Sequence, residues 1–394
     1  MMKMIEFQEA LDIVMNSAFT MGTETVSFID SSGRILAEDI KSDMDLPPFN
    51  KSTVDGFACR KTDLGGEMEI VETIPAGKYP KRPVFGNQCS RIMTGAAVPD
   101  GADMVFMVED SDILPSGNVR CTAPFTKENI SLMGEDIKNG AIVLRKGKII
   151  QPQDIAVMAA VGCTSVVVSK MPEIAIISSG DELVEPFEKP DICQIRNINS
   201  YGLLAQVKRS GAIGKYYGIA CDHEEDTFSL LDLAISASDI VLISGGVSMG
   251  DFDFIPAVME RAGVEILFPG VNVQPGKPTT FGTHKKALVF GLPGNPVSSF
   301  IQFELMVRPL IYKMMGYNWN PLTINLPVKE TFTRRSSGRM ALLPVKISEE
   351  GYVYPVEYHG SAHISALTVA DGIISVPPGK KTIEKGEIVS VRQF

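Results

Sequence analysis

The spacing of hydrophobic residues changes along the chain, and each pattern predicts a different kind of structure. Apolar residues recur at helical spacing from residue 5 to residue 19, which indicates an N-terminal helix. From Asp45 to Glu135, glycines and prolines are frequent and the apolar runs are short, which is typical of a small β-rich domain. A longer apolar segment returns at 137–170, and the spacing within it predicts a helix at 154–161.

Beyond Met171, predicted strands and helices alternate. Alternation of this kind implies a mostly parallel sheet, with ligands bound at the carboxyl ends of its strands. After Pro321 the helical spacing stops, and short alternating runs at 352–354 and 372–376 suggest a terminal β-barrel or sandwich. The predicted strands are 174–178, 216–220, 240–243 and 288–290, and the predicted helices are 199–210, 224–236, 254–262 and 296–314.

The composition is that of an ordinary globular protein and argues against two classes of partner. Hydrophobic residues make up 44% and charged residues 21% of the 394 positions, a length that predicts more than one domain. The net charge of −10 argues against nonspecific nucleic-acid binding, which needs a basic face. No apolar run reaches the length of a membrane span, and the N-terminal residues are too acidic for a signal peptide. We therefore expect a cytoplasmic protein with neither nucleic-acid nor membrane partners.

Cysteines and histidines give little sign of a metal or redox site. No two cysteines form a C-x-x-C pair, so reduced thiols are favoured over zinc binding, redox motifs or disulfides. His359 and His363 stand four residues apart, as metal ligands on a helix do, but the intervening Gly360 and Ser361 favour loop histidines. The cysteines are Cys59, Cys89, Cys121, Cys163, Cys193 and Cys221.

The stretch from Asp239 to Asp253 carries the strongest chemical signal. An apolar strand ends in a glycine-rich loop, and a predicted helix follows. This order forms the usual cradle for a phosphate, because backbone N–H groups point at the anion. Asp251 and Asp253 place carboxylates where an anion is expected, so we predict a phosphate-bearing ligand held through a divalent cation. The loop residues expected to contact the ligand are Gly245, Gly246, Ser248 and Gly250.

Polar residues and glycines follow the other predicted strands as well. Residues 179–182 come after the first strand, Asp222 after the second and 291–296 after the last. In a parallel sheet these loops lie at one edge, which would carry several carboxylates, and Lys277 is a candidate cation for an oxyanion there. The alternative is that aspartate and glycine only form turns and helix caps. For any one loop this structural role and a ligand-binding role are about equally favoured, but four such loops at one edge favour ligand binding. Neither a Walker loop nor a dinucleotide fingerprint occurs.

Two motifs of the β-rich segment display polar side chains. Paired prolines stiffen the approach to Asp55-Gly56, where a tight turn would display the carboxylate. Thr94-Gly95 would display a hydroxyl in the same way. Taken alone, each motif is also compatible with an ordinary turn.

Together these motifs resemble those of the MoeA family, whose eukaryotic counterpart is the gephyrin E domain and whose members are molybdopterin molybdenumtransferases. The resemblance covers essentially the whole length, and the order and number of the motifs argue against a chance match. The matching segments are PPFNKSTVDGFA (47–58), RIMTG (91–95), GEDI (134–137), SGDEL (179–183), SGGVSMGDFDF (244–254), PGKP (275–278) and LPGNPVS (292–298).

The resemblance implies a multi-domain α+β fold with a central α/β domain, a β-rich inserted domain and a C-terminal β-barrel. It also implies an elongated homodimer in which the insertion of one chain faces the α/β domain of the other. The expected domains are 1–44 plus 137–170 (N-terminal, helical), 45–136 (β-rich insertion), 171–318 (α/β, molybdopterin-binding) and 319–394 (β-barrel).

Roles for individual residues also follow from the resemblance. Lys277 falls on a basic position expected to hold the oxyanion, and Ser365 matches a C-terminal polar position. Gln274 is a departure, because family members often have lysine there, so one positive charge for molybdate is missing or supplied elsewhere. Asp55, Thr94, Asp136, Glu182 and Asp222 fall on catalytic positions, Gly245, Gly246, Ser248, Gly250, Gly294 and Asn295 on substrate-binding positions, and Glu182, Asp222 and Asp253 on positions expected to bind Mg²⁺.

The implied reaction attaches molybdate to the dithiolene of adenylated molybdopterin and releases AMP, as a late step of molybdenum cofactor biosynthesis. Carboxylates suit the Mg²⁺ that would screen a phosphoanhydride, and Lys277 with backbone N–H groups suits a tetrahedral oxyanion. A molybdopterin adenylyltransferase, which is also the expected pathway partner, or a nucleotide-amidase relative would share only the α/β domain. A noncatalytic scaffold is a further alternative, since the gephyrin relative also anchors receptors.

Overall fold

The computed structural model describes residues 4–124, 126–221, 223–246, 254–357 and 360–394. The chain divides into two compact units, of which the smaller combines Val26–Ser32 with Glu38–Val166 and the larger is formed by the chain up to Thr25, Gly33–Ala37 and Val167–Phe394. None of the helices in the described residues is long and apolar enough to span a membrane. The α-helices, numbered in chain order, are α1 (Phe7–Asn16), α2 (Pro152–Ala160), α3 (Asn199–Arg209), α4 (Glu224–Ala237), α5 (Ile255–Arg261), α6 (Pro296–Gln302) and α7 (Arg308–Met314).

A six-stranded sheet forms the centre of the larger unit. Its first four strands run parallel, which confirms the predicted parallel arrangement. The last two strands are antiparallel; they were not predicted, because their apolar runs are too short to give a pattern. Across the sheet the order is Ile213–Ala220, Glu173–Ser179, Ile240–Ser244, Leu288–Leu292, Thr280–Thr283 and Glu265–Phe268.

The two central strands are continuously apolar because both faces of the sheet are covered. Residues 174–177 and 240–243 are fully buried, as expected for a parallel sheet between layers of helices. Alternate side chains, such as those of Ala175 and Val241, pack with residues of α4 and α5. Each face of the sheet therefore has its own apolar layer, and the polar residues are left at the strand ends.

A second six-stranded sheet, mostly antiparallel, forms the C-terminal part of the larger unit. A bridge between Val328 and Val353 links the first strand of this part to Val353–Pro355, so the strand order returns on itself as a barrel requires. The predicted C-terminal β structure is confirmed. Its strands are Val273–Gln274, Met340–Ile347, Gly372–Val376, Ile388–Gln393, Thr323–Pro327 and Val353–Pro355.

The smaller unit contains the predicted β-rich part, and its sheet contains both parallel and antiparallel strand pairs. Phe57 and Phe106 stack at 5.3 Å between ring centroids in its core, beside Cys59 and Cys89. Burial raises the pKa of both of these thiols to about 12, and all six cysteines of the chain are free. The strands, in sheet order, are Met104–Met107, Gly56–Cys59, Gln88–Ile92, Glu67–Ile74, Val119–Cys121 and Ser111–Ile113.

The chain enters and leaves the β-rich part on neighbouring segments. Ile40–Lys41 pairs with Ile142–Leu144, and Leu46 bridges Ile137. This pairing is the geometry expected of an insertion, while the four domain boundaries themselves stay a prediction. The remaining short strands are Thr23–Ser27, Lys51–Ser52, Ile130–Ser131, Ser165–Ser169, Leu183–Val184, Ile195–Arg196, Phe332–Thr333 and Thr382–Ile383.

Candidate functional site

A cavity of about 930 Å³ lies at the carboxyl edge of the parallel sheet in the larger unit. Its walls include the ends of the three central parallel strands and parts of the segment 180–199. The volume is in the range of sites that enclose a small organic ligand. Among the sequence-predicted site residues, the cavity is lined by Glu182, Gly245, Gly246, Gly294 and Asn295.

Close approach of the strand ends explains one of these glycines. Gly245 has a φ of +110°, and a Cβ on it would lie 2.2 Å from the carbonyl oxygen of Ser179. Gly294 lies beside it, where a Cβ would meet the Cα of Gly245 at 3.6 Å, an ordinary van der Waals distance. Backbone rather than side chains therefore forms this part of the wall, which lets a phosphate-bearing ligand come close to peptide groups.

Asn199, which sequence reasoning missed, joins two of the strand ends. Its side-chain amide donates to Ser244 Oγ and to the carbonyl oxygen of Gly294, both at 2.7 Å. Asn199 opens α3 and lines the cavity. The two asparagines at 197 and 199, just before an apolar helix pattern, were the only signal in the sequence that could have indicated it.

Asn197 is the buried centre of a second hydrogen-bond network. Its Oδ1 accepts from Ser178 Oγ at 2.9 Å, and its Nδ2 donates to the Tyr216 hydroxyl at 2.9 Å. Tyr216 and Tyr201 in turn donate to the carboxylate of Glu185 at 2.7 and 2.9 Å. The network fixes the segment 180–199 against the end of the strand Glu173–Ser179.

The same network shifts the pKa values of both tyrosines upward. Burial is the largest cause of the raised pKa of Tyr216, and the hydrogen bond to Glu185 raises this pKa further. For Tyr201, the hydrogen bond to Glu185 is the main cause of the raised pKa. Both hydroxyls therefore stay protonated at neutral pH and act as donors to a carboxylate.

Arg196 also lines the cavity and was not predicted. It ends the short strand Ile195–Arg196, which pairs in parallel with Leu183–Val184. Its Nε donates to the carbonyl oxygen of Glu188 at 3.1 Å. Within the described part of the chain, no other lysine, arginine or histidine lines this cavity.

The predicted cation, Lys277, lies in a turn next to the cavity wall. Gly276 before it has a φ of +107°, and Pro278 after it lines the cavity, whereas Lys277 itself does not. Gln274, at the position where the family often has lysine, is exposed and precedes a cis proline. The structure therefore places this loop beside the cavity without directing its charged residue into the lining.

The predicted metal ligands are only partly within the described residues. Glu182 follows the strand Glu173–Ser179, and its carboxylate folds back so closely that a Cβ on Gly180 would lie 2.6 Å from Oε2. Asp222, Ser248, Gly250 and Asp253 lie outside the described residues, as do Asp251 and His359. In the part of the chain that is described, no group of three or more histidine, cysteine, aspartate or glutamate side chains could hold a metal. The oxygen donor of Glu182 is nevertheless the type that Mg²⁺ prefers.

The C-terminal part reaches the cavity through the segment 360–368. The backbone N–H of Val297 in α6 donates to the carbonyl oxygen of Ser361 at 3.0 Å, and Ala362 lines the cavity. Ser365 lies in the following 3-10 turn, Ile364–Thr368, where it is exposed and does not line the cavity.

A separate polar cluster in the smaller unit contains two of the predicted catalytic residues. The carboxylate of Asp55 accepts hydrogen bonds from the backbone N–H of Thr94 at 2.6 Å and from its Oγ1 at 2.8 Å. These two bonds, the backbone one first, lower the pKa of Asp55 below its ordinary value, and Arg91 contributes. Asp136 is exposed in the same unit, and its backbone N–H donates to Leu46 O at 3.0 Å.

Comparison with known proteins matches the whole length of the chain. Three family models match in succession: "MoeA N-terminal region (domain I and II)" at 5–162, "Probable molybdopterin binding domain" at 175–313 and "MoeA C-terminal region (domain IV)" at 328–394. A molybdopterin molybdenumtransferase of Staphylococcus epidermidis is 35% identical over 98% of this chain and 95% of its own length. The chain belongs to the MoeA family.

Further MoeA relatives agree in both sequence and fold. A molybdopterin molybdenumtransferase of Staphylococcus aureus is 34% identical over 98% of this chain and 95% of its own length. The crystal structure of the molybdopterin biosynthesis MoeA protein of Pyrococcus horikoshii superposes with a TM-score of 0.87 at 30% identity and covers 100% of both chains. The multi-domain fold predicted from the resemblance to MoeA is thereby confirmed.

Proposed function

We propose that this MoeA-family chain is a molybdopterin molybdenumtransferase, which attaches molybdate to adenylated molybdopterin with Mg²⁺-dependent release of AMP. The transferase class and the place in molybdenum cofactor biosynthesis are supported by the near full-length relatives that carry this name. The details of the reaction rest on the site residues, and they are part of the proposal.

One observation carries the proposal: a cavity of about 930 Å³ whose wall is formed by glycine backbone at the ends of neighbouring parallel strands. Its position at the carboxyl edge is where open α/β sheets bind their ligands. Adenylated molybdopterin has a phosphoanhydride as well as a bulky pterin, so its site needs both close backbone contact and volume. The predicted substrate-binding residues of this site are Gly245, Gly246, Ser248, Gly250, Gly294 and Asn295.

The cation would be bound by carboxylates at the same edge. Glu182, which lines the cavity, would hold Mg²⁺ together with Asp222 and Asp253. Bound there, Mg²⁺ would screen the negative charge of the phosphoanhydride. Glu182 has the hard oxygen donors that this role requires.

Other residues are assigned to molybdate and to the smaller unit. Lys277 and Ser365 are proposed to hold molybdate, since a tetrahedral oxyanion needs cationic or hydrogen-bond donors. Asp55, whose pKa is lowered by its bonds to Thr94, is ionised at neutral pH and is proposed to act with Asp136 as a catalytic carboxylate.

Incubation with Mg²⁺, adenylated molybdopterin and molybdate tests this function, with AMP and metallated pterin measured as products. Glu182→Gln should lower AMP release and the dependence on Mg²⁺. Glu260→Gln, at an exposed position of α5 that does not line the cavity, is the matched control. In a parallel incubation with Mg²⁺, molybdopterin and ATP, consumption of ATP would instead indicate an adenylyltransferase. No turnover in either incubation would indicate a scaffold.

We also propose a cytoplasmic homodimer that receives its pterin from a molybdopterin adenylyltransferase. The resemblance to MoeA supports the dimer, and light scattering after size-exclusion chromatography should give twice the chain mass of 42.7 kDa. A particle with the mass of a single chain would contradict the dimer.

A further inference from the structure

The cavity needs a cation for an anionic ligand, and Arg196 is in the right place to supply it. The whole chain has a net charge of −10, and Glu182 adds a carboxylate to the cavity wall. Among the described lining residues, Arg196 is the single side chain with a permanent positive charge. An arginine left alone in such a wall is a candidate for binding the negative groups of the ligand.

The surroundings of Arg196 fix its backbone and its Nε atom and leave its two Nη atoms available as donors. Pairing of Ile195–Arg196 with Leu183–Val184 fixes the backbone, and the neighbouring Asn197 is 1% exposed and accepts a hydrogen bond from Ser178 Oγ at the strand end. Nε donates to the carbonyl oxygen of Glu188. Within the described part of the chain, neither Nη atom of Arg196 has a hydrogen-bond or ion-pair partner.

We propose that Arg196 binds the phosphate groups of the pterin substrate through its two Nη atoms. This assignment rests on the proposed function and adds to it a specificity-determining residue. The planar guanidinium presents paired donors that match phosphate oxygens, which a lysine cannot reproduce. Phosphate is favoured over molybdate, because Arg196 shares its cavity with the glycine backbone of the strand ends, whereas Lys277 lies outside the lining.

A purely structural role would give different results. If Arg196 only tied the segment 180–199 to Glu188, its removal would lower stability and affect all ligands equally. If it binds phosphate, its removal should raise KM for adenylated molybdopterin more than it lowers kcat. It should also weaken the dependence of binding on salt, since one ionic contact is lost.

Binding of adenylated molybdopterin, inorganic pyrophosphate and molybdate, each measured by calorimetry, tests the assignment. Arg196→Ala should weaken adenylated molybdopterin binding about 10- to 100-fold, the range for a lost hydrogen bond to a charged group. Arg196→Lys should recover part of that loss, because lysine keeps the positive charge but lacks the paired donors of the guanidinium. Lys189→Ala, an exposed lysine of the same segment that does not line the cavity, is the control and should bind like wild type.

The three ligands separate the possible failures. Equal binding of adenylated molybdopterin by wild type and Arg196→Ala would overturn the assignment, and so would a loss confined to molybdate. If wild type bound no adenylated molybdopterin, the proposed function would fail. Pyrophosphate binding would then still test the role of Arg196. If Arg196 binds phosphate, Arg196→Ala should bind pyrophosphate more weakly than wild type does, and equal binding would refute that role.

Discussion

The side-chain amide of Asn199 lies 2.7 Å from the hydroxyl oxygen of Ser244, and the same nitrogen lies 2.7 Å from the carbonyl oxygen of Gly294. Ser244 ends a central strand, and its Oγ is also 3.4 Å from the carbonyl oxygen of Pro293. One side chain at the start of α3 therefore links two strand ends whose own direct side-chain contact is the longer one between Ser244 and Pro293.

Asn199→Ala should lower both stability and substrate affinity, because it removes both bonds at once. The expected loss in the free energy of unfolding is about 1–3 kcal/mol, measured by urea denaturation. KM for adenylated molybdopterin should rise, since the glycine wall is no longer held in place. Asn320→Ala, at an exposed position outside the cavity, is the control. A loss of stability with an unchanged KM would show that Asn199 does not shape the site.

The bond between Asp55 and Thr94 predicts a pH dependence. Thr94→Val removes the hydroxyl donor but keeps the backbone one, so the pKa of Asp55 should rise toward its ordinary value, as measured by carbon NMR of the carboxyl group. A carboxyl with a lowered folded pKa stabilises the fold above its unfolded pKa of about 3.9, and this stabilisation is lost as the pH falls through the folded value.

Wild type should therefore be more stable than Thr94→Val at neutral pH, and the difference should shrink below about pH 4. Thr53→Val replaces an exposed threonine near the turn and serves as the control. A stability difference that stays constant between pH 7 and pH 3 would mean that the effect of Thr94 does not pass through the charge of Asp55.

The sheet and its glycine edge could be predicted because they depend on local patterns. Continuous apolar runs such as 240–243 indicate strands buried on both faces, and a parallel sheet brings the loops after such strands together. The extent of the last helical region, 296–314, was also correct. Within it, however, Phe303–Val307 forms a π-helical turn, which no spacing in the sequence indicated.

Residues that depend on distant partners could not be predicted. Glu304, in that π-helical turn, is only 2% exposed, and its distant partner is Arg209 of α3; the hydrogen bond that it accepts from Arg308 at 2.8 Å is local. Arg196 and Asn199 follow a segment without periodicity, and short parallel pairing brings them to the cavity. Such contacts join residues far apart in the chain, so their placement is visible only in the folded structure.

Tyr216 should respond to alkaline pH differently from a free tyrosine. Since its folded pKa is raised, the stability it contributes is present below the unfolded pKa of about 10 and is lost as the pH rises toward the folded value. Absorbance at 295 nm should therefore show the same ionisation up to about pH 11 in folded wild type and folded Tyr216→Phe. In guanidinium chloride, wild type should gain one more ionised tyrosine than the variant. If the absorbance change up to about pH 11 were smaller for folded Tyr216→Phe than for folded wild type, Tyr216 would ionise while the protein is folded.

The roles proposed for Gln274 and Lys277 lead to a prediction about molybdate binding rather than pterin binding. If Lys277 holds the oxyanion, Lys277→Ala should raise the molybdate concentration needed for half-maximal AMP release much more than it weakens pterin binding. Gln274 is exposed at the position where the family often has lysine, so Gln274→Lys should restore a positive charge and lower that concentration. Arg196→Ala should show the opposite pattern, with the pterin affected and molybdate not. If neither loop variant changes the molybdate dependence, the loop is structural and the oxyanion binds elsewhere.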